Sequence, residues 1–141
     1  MTTTSTDTTS ATGTATVSRF LDAICDGGGI PADLFAPDAL LDATVPNWRF
    51  PARQANAIAE QLSEWFADPA TFEELERVPI GGGEVVTFLL TWVERGVPHA
   101  AHQCHVVQFD DDGLIASDQV FCGGRWDAGM LAEMPAATDA G

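Results

Sequence analysis

The 141-residue chain holds enough apolar residues for one hydrophobic core and is too short for two ordinary domains. Its six basic and 21 acidic residues give a net charge of −15, which repels phosphate backbones and anionic surfaces. We therefore expect neither nucleic acid nor a membrane as a partner. The three cysteines lack the spacing of metal ligands. The sequence has no apolar stretch long enough to span a bilayer and no signal-peptide pattern. These features favour a cytoplasmic protein with reduced thiols and no bound metal.

The first helix is expected to follow a polar N-terminal tail. Residues 1–15 are almost entirely Thr, Ser, Ala, Gly and Asp, which have little to bury, so this tail is predicted to be disordered. Apolar residues then recur at helical spacing, namely at Val17, Phe20, Leu21 and Ile24. Glycines at 27–29 end this helix. We expect a single domain over residues 16–135 and a flexible C-terminus at 136–141.

A second, shorter helix and a strand are predicted next. Pro31 suits the first turn of a helix that buries Leu34 and Phe35, and a short first strand follows at Leu40 and Leu41. A loop that contains Trp48 then leads to the third helix.

The third helix separates the helical part of the chain from its strands. Its apolar residues are Ile58, Leu62 and Trp65, and it ends before Pro69. Four strands are then predicted, at residues 72–80, 84–94, 97–109 and 114–122. Gly- and Asp-rich turns separate them, and one helical turn follows Asp127. Three helices before an antiparallel meander predict an α+β fold.

The turn at Arg95-Gly96 sets the register of the first long hairpin. A two-residue turn pairs Glu94 with Val97. Counting back along both strands gives the further pairs Trp92–His99, Leu90–Ala101, Phe88–Gln103 and Val86–His105. These side chains therefore share one face of the sheet.

The next hairpin is expected to bring Asp118 onto the same face. A two-residue turn at Asp112-Gly113 sets Val107 against Asp118, whereas a four-residue loop sets His105 against Asp118. Both registers keep His105 and Asp118 on one face, and a three-residue loop with a bulge would break that parity. The other face is also apolar, with Ile115 and Phe121 among its members. Since the helices cover one face only, a second copy of the chain is the expected cover of the outer face.

The three histidines do not predict a metal site. Residues three apart in a strand alternate faces, so His102 points away from His99 and His105. His105 beside Asp118 is instead the arrangement of a general base, because a carboxylate fixes the tautomer of an imidazole and raises its basicity. The alternative is a structural pair whose hydrogen bonds only satisfy each other.

Two motifs resemble the nuclear transport factor 2-like superfamily, in its SnoaL-like branch. They are residues 34–39, Leu-Phe-Ala-Pro-Asp-Ala, and residues 106–115, Val-Val-Gln-Phe-Asp-Asp-Asp-Gly-Leu-Ile. The resemblance covers residues 17–126. It implies a cone-shaped (cystatin-like) fold in which three N-terminal helices pack on a curved antiparallel sheet around one apolar pocket. The superfamily contains isomerases, cyclases, dehydratases, epoxide hydrolases and non-catalytic binders.

The comparison with the ketosteroid isomerases of that superfamily strongly disfavours their mechanism. Their oxyanion-hole tyrosine, general-base aspartate and protonated aspartate correspond to Phe20, Ala43 and His105 in this sequence, so all three groups are changed. The epoxide hydrolase pattern needs two pocket aspartates around an arginine, and only Arg125 with a single pocket Asp is predicted.

We therefore expect a cofactor-free acid/base enzyme of the cyclase, isomerase or dehydratase type that acts on a small, mostly apolar molecule. His105 is the expected base, Asp118 its partner and Gln103 a donor to oxyanion charge. The remaining predicted pocket residues are Phe20, Trp48, Phe88, Trp92, His99 and Cys122. The alternative is a non-catalytic ligand-binding or dimerisation module of the same fold.

Overall fold

One mixed sheet of six strands carries the helices of this chain. The computed structural model describes the backbone of residues 3–140 and the side chains of residues 11–134. The elements are α1 (Thr3–Asp26), a 3-10 turn (Ala32–Leu34), β1 (Phe35–Val45), β2 (Trp48–Arg53), α2 (Ala55–Trp65), β3 (Ala70–Ile80), β4 (Gly83–Glu94), β5 (Val97–Phe109), β6 (Ile115–Asp127) and α3 (Ala128–Ala140). The strand order is β2-β1-β6-β5-β4-β3, with β1 and β6 parallel and all other neighbours antiparallel. The α+β prediction is confirmed.

Helix α1 is longer than predicted. It begins at Thr3, so residues 3–15 of the expected disordered tail are helical, while residues 1 and 2 lie outside the described part. Tertiary contact explains the difference, because the buried Gly13 lies so close to the Phe109 ring that a Cβ there would be 2.4 Å from it. Thr16 is also buried, and its hydroxyl donates to the Thr12 carbonyl. The sheet thus supports a helical stretch whose polar composition alone favours disorder.

The helices are placed differently from the expected set of three before the sheet. The second is only the 3-10 turn, which buries Leu34, and β1 starts immediately after it. The helical turn predicted after Asp127 is present as the start of helix α3, which continues through residues 136–140 of the end that was predicted to be flexible; residue 141 lies outside the described residues. No helix within residues 3–140 is both long enough and apolar enough to cross a membrane.

Strand β2 was not predicted. Asn47 adopts a φ of 67° in a tight turn that pairs Val45 with Trp48, and β2 then lies along β1 at the edge of the sheet. Pro51 obscures the strand in the sequence, but an edge strand tolerates a residue without an N–H group. The predicted loop at Trp48 is therefore a strand.

The register of β4 and β5 is confirmed at every predicted pair. Glu94 pairs with Val97, and Val86 pairs with His105 eight residues further back. Arg95 and Gly96 both have positive φ, at 53° and 79°, as a type I′ two-residue turn requires. This hairpin places Gln103 and His105 on the inner face, which α1 and α2 cover.

Two bulges modify the pairing of β5 with β6. The turn closes as a three-residue loop, since Asp110 N–H donates to the Leu114 carbonyl, and an extra residue in β6 at Ala116 then restores the parity. Val107 consequently faces Asp118, as the two-residue register predicts, and Asp118 shares the inner face with His105. The predicted outer-face position of Ile115 is wrong, because Ile115 pairs with Phe109 and is fully buried in the core.

Candidate functional site

A cavity of about 680 Å³ opens at one end of the inner face. It lies between the ends of β4 and β6, the carboxyl end of α2 and the turn after β1, and Met130 of α3 contributes to its wall. Five aromatic residues line the cavity: Phe50, Trp65, Phe66, Trp92 and Trp126. Such a cavity has the volume and the apolar lining of a small-molecule site.

A chain of hydrogen bonds runs from the core to this cavity. His105 Nδ1 lies 2.9 Å from Asp118 Oδ2, and His105 Nε2 lies 2.9 Å from Gln103 Oε1. His105 and Asp118 are each only 1% exposed, and Gln103 is 7% exposed. The amide nitrogen of Gln103 in turn donates to Cys122 Sγ at 3.5 Å. Of these four residues, Gln103 and Cys122 line the cavity.

Two aromatic rings pack against His105. Phe88 stacks on the imidazole with 5.3 Å between ring centroids, and Phe20 meets it edge-on at 5.8 Å. With the Gln103 amide in this orientation, His105 Nε2 donates to Gln103 Oε1, and His105 Nδ1 is hydrogen-bonded to the Asp118 carboxyl. The His105–Asp118 pair therefore affects a ligand in the cavity through Gln103. The remaining polar atom of the Gln103 side chain is the donor Nε2.

Arg125 lies at the mouth of the cavity, on the inner face. It reaches this face because β6 contains an extra residue at Gly123-Gly124, after which Arg125 pairs with Ala101. Its guanidinium carbon lies 5.3 Å from the Trp92 ring centroid, and its Nη2 donates to the Glu94 carboxylate. This hydrogen bond is the main cause that holds the pKa of the Glu94 carboxyl below its ordinary value. Glu94 therefore stays ionised at a lower pH than a free glutamate does.

Solved structures share this architecture. A putative isomerase from Bacillus subtilis superposes with a TM-score of 0.66 at 13% identity, over 80% of this chain and 87% of the other. A steroid delta-isomerase from Pseudomonas aeruginosa gives 0.60 at 20% identity, over 93% and 96% of the two chains. An NTF2-like protein of unknown function from Cytophaga hutchinsonii gives 0.53 at 10% identity, over 77% and 96%. The chain has the nuclear transport factor 2-like fold. No protein-family model matches the sequence, and no curated protein matches it either.

Within this nuclear transport factor 2-like fold, three predicted pocket residues line the cavity: Trp92, Gln103 and Cys122. Phe20 and Phe88 do not; they are core residues behind the wall, in contact with His105. His99 stacks on Trp92 at 5.7 Å without reaching the wall. The predicted pocket position of Trp48 is wrong, because Trp48 lies in the edge strand β2 with 67% of its surface exposed and does not line the cavity.

Most residues at the mouth of the cavity were not predicted from the sequence. Arg125 was considered for the epoxide hydrolase pattern, and Phe50 and Phe66 were not singled out. The Gly-Gly pair at 123–124, directly after the predicted strand 114–122, is the available signal, because glycine in a strand often marks a bulge that re-aims the residues after it. Among the side chains that the structure describes, no group of three His, Cys, Asp or Glu is placed to hold a metal ion.

Proposed function

We propose that the chain is a cofactor-free acid/base enzyme acting on a small, mostly apolar carbon acid bound in the cavity. A carbon acid here is a molecule that loses a proton from the carbon next to a carbonyl group. The supporting observation is the chain of hydrogen bonds from Asp118 through His105 to Gln103, which ends in an amide at the wall of the cavity. Cyclisation, isomerisation and dehydration can all proceed through the enolate that such a donor stabilises.

In this mechanism Gln103 is the residue that touches the substrate. Its N–H group donates to the carbonyl oxygen, and the bond strengthens as that oxygen gains negative charge in the transition state. His105 donates to the other end of the same amide, which polarises it and makes its N–H a stronger donor. His105 and Asp118 are thus positioning residues rather than the base, and the carbon proton passes to water that enters through the mouth.

A cyclic β-keto ester with one α-hydrogen tests this proposal. Proton NMR in deuterium oxide follows the exchange of that hydrogen for deuterium without knowledge of any product. We expect the protein to accelerate exchange above the rate in buffer and the acceleration to saturate as the ester fills the cavity. Binding of the ester without faster exchange would contradict the proposed catalysis.

The alternative function is a non-catalytic carrier of a small apolar ligand. One observation favours it: both ring nitrogens of His105 are occupied within the protein, and the ring is only 1% exposed. A carrier needs the apolar wall and one donor for orientation, and Gln103 supplies that donor. The exchange experiment separates the two functions, because a carrier binds the ester and leaves its α-hydrogen in place.

A homodimer through the outer sheet face is part of the same proposal. Phe121 is 45% exposed and Val93 59% exposed on that face. We expect sedimentation velocity to detect a dimer that Phe121→Glu converts to a monomer. Leu75→Glu is the matched control, since Leu75 is also 45% exposed but lies in the edge strand β3. A wild-type monomer, or equal loss in both variants, would refute this interface.

A further inference from the structure

The mouth of the cavity is electronegative. Three carboxylate residues line the cavity, Glu64, Asp68 and Glu94, against the single basic residue Arg125. Arg125 is committed to Glu94, and no ion-pair partner for Glu64 or Asp68 is found among the residues with described side chains. A net charge of −15 adds a long-range field of the same sign.

The end of α2 adds a further partial negative charge at the mouth. This helix of 11 residues ends at Trp65, has no basic residue in its last turn, and contributes Glu64 and Trp65 to the cavity wall. The carboxyl end of a helix carries a partial negative charge that favours a nearby cation. Asp68 follows within three residues, so carboxylates flank the two aromatic residues of this segment on both sides.

The chain itself already places a cation in this environment. The guanidinium of Arg125 stacks 5.3 Å from the centroid of Trp92 while it binds the Glu94 carboxylate. A cation over an indole face and beside a carboxylate gains from both the ring quadrupole and the opposite charge. On the α2 side of the mouth, Trp65 with Glu64 and Asp68 offers the same two kinds of group without an internal cation.

We infer that the cavity selects a small amphipathic cation, namely a protonated amine carried on a flat apolar body. The amine lies at the mouth with Glu64, Asp68 and the indole of Trp65, and the body extends along the aromatic wall toward Gln103. An anion of the same shape is repelled by the uncompensated carboxylates. This inference rests on the proposed function, because it names the class of ligand that binds in the same cavity.

Three ligands with one naphthalene skeleton test the charge preference: naphthylmethylamine, naphthylmethanol and naphthoate. Isothermal titration of the full chain should show the amine binding about tenfold more tightly than the alcohol, and naphthoate most weakly. The gap between amine and alcohol should narrow with added salt, because part of the attraction is screened. Equal affinity of the amine and the alcohol, or tighter binding of naphthoate, would overturn the inference.

Paired variants locate the preference at the mouth. Glu64→Gln with Asp68→Asn should weaken amine binding about tenfold and leave alcohol binding unchanged. The control is Glu60→Gln with Asp38→Asn, which removes the same charge from two exposed residues outside the cavity. Equal weakening in both pairs would show that only the overall field acts and would overturn the proposed site.

The outcomes also separate this inference from the proposed function. If the naphthalene ligands bind without charge preference and the β-keto ester is still exchanged, the ligand class is wrong and the catalytic proposal stands. If the amine preference is found without exchange of the ester, the cation site stands and the catalytic proposal falls. If none of the three ligands binds, the cation inference is overturned.

Discussion

Replacing His105 with Leu is expected to lower the free energy of unfolding by about 3–5 kcal/mol. The substitution removes the hydrogen-bond partner of Asp118, a carboxyl that is 1% exposed. An acidic side chain left without a partner at that depth retains the full cost of its desolvation. Urea denaturation followed by tryptophan fluorescence measures the difference, with unchanged m-values showing that the cooperative transition is kept.

The double variant His105→Leu with Asp118→Val distinguishes a lost pair from a damaged core. It removes both polar groups and leaves apolar side chains of similar size against Phe20 and Phe88, so most of the lost stability should return. The summed losses of stability in the two single variants should therefore be far larger than the loss in the double variant. A loss below about 1 kcal/mol in His105→Leu, or additive losses in the double variant, would contradict the buried pair.

Gln103→Met is expected to lower the catalysed exchange of the β-keto ester by about a hundredfold to a thousandfold. Methionine keeps the length and approximate shape of the side chain but has no N–H donor for the enolate oxygen. Affinity for the ester should change much less than the rate, because the hydrogen bond is strongest in the transition state. Rates at saturating ester, together with the concentration for half-saturation, separate the two effects.

The matched control for this variant is Gln108→Met. Gln108 lies in the same strand β5, but it is exposed on the outer face and does not line the cavity. It should leave the exchange rate unchanged. An undiminished rate in Gln103→Met would refute the role of Gln103, and an equal drop in Gln108→Met would point to a general loss of folded protein.

Local turn chemistry made the β4–β5 hairpin predictable from the sequence. Arg95-Gly96 suits a two-residue turn, and once that turn is placed the strict alternation of a strand determines every later pair. Gln103, His105 and Trp92 were assigned to the inner face in this way, and the structure agrees. The edge strand β2 was missed because Pro51 and the turn at Asn47 resemble a loop in a single sequence.

The candidate site was only half predictable, because bulges change the face of every residue beyond them. The bulge at Ala116 restored the parity that a three-residue loop had broken, so Asp118 remained beside His105. The bulge at 123–124 instead turned Arg125 toward the cavity, where it meets Trp92 and Glu94. Neither bulge changes the hydrophobic pattern enough to be located from spacing alone.

The sequence by itself determined the α+β class, the four long strands and the placement of Gln103 and His105 on one sheet face. These features follow from local periodicity and turn residues, which act over a few neighbours. Only the tertiary structure decided that His105 and Asp118 lie behind Gln103 and that carboxylate and aromatic residues line the mouth of the cavity. Burial depth and the convergence of α2, β4 and β6 depend on packing between distant segments, which no local pattern encodes.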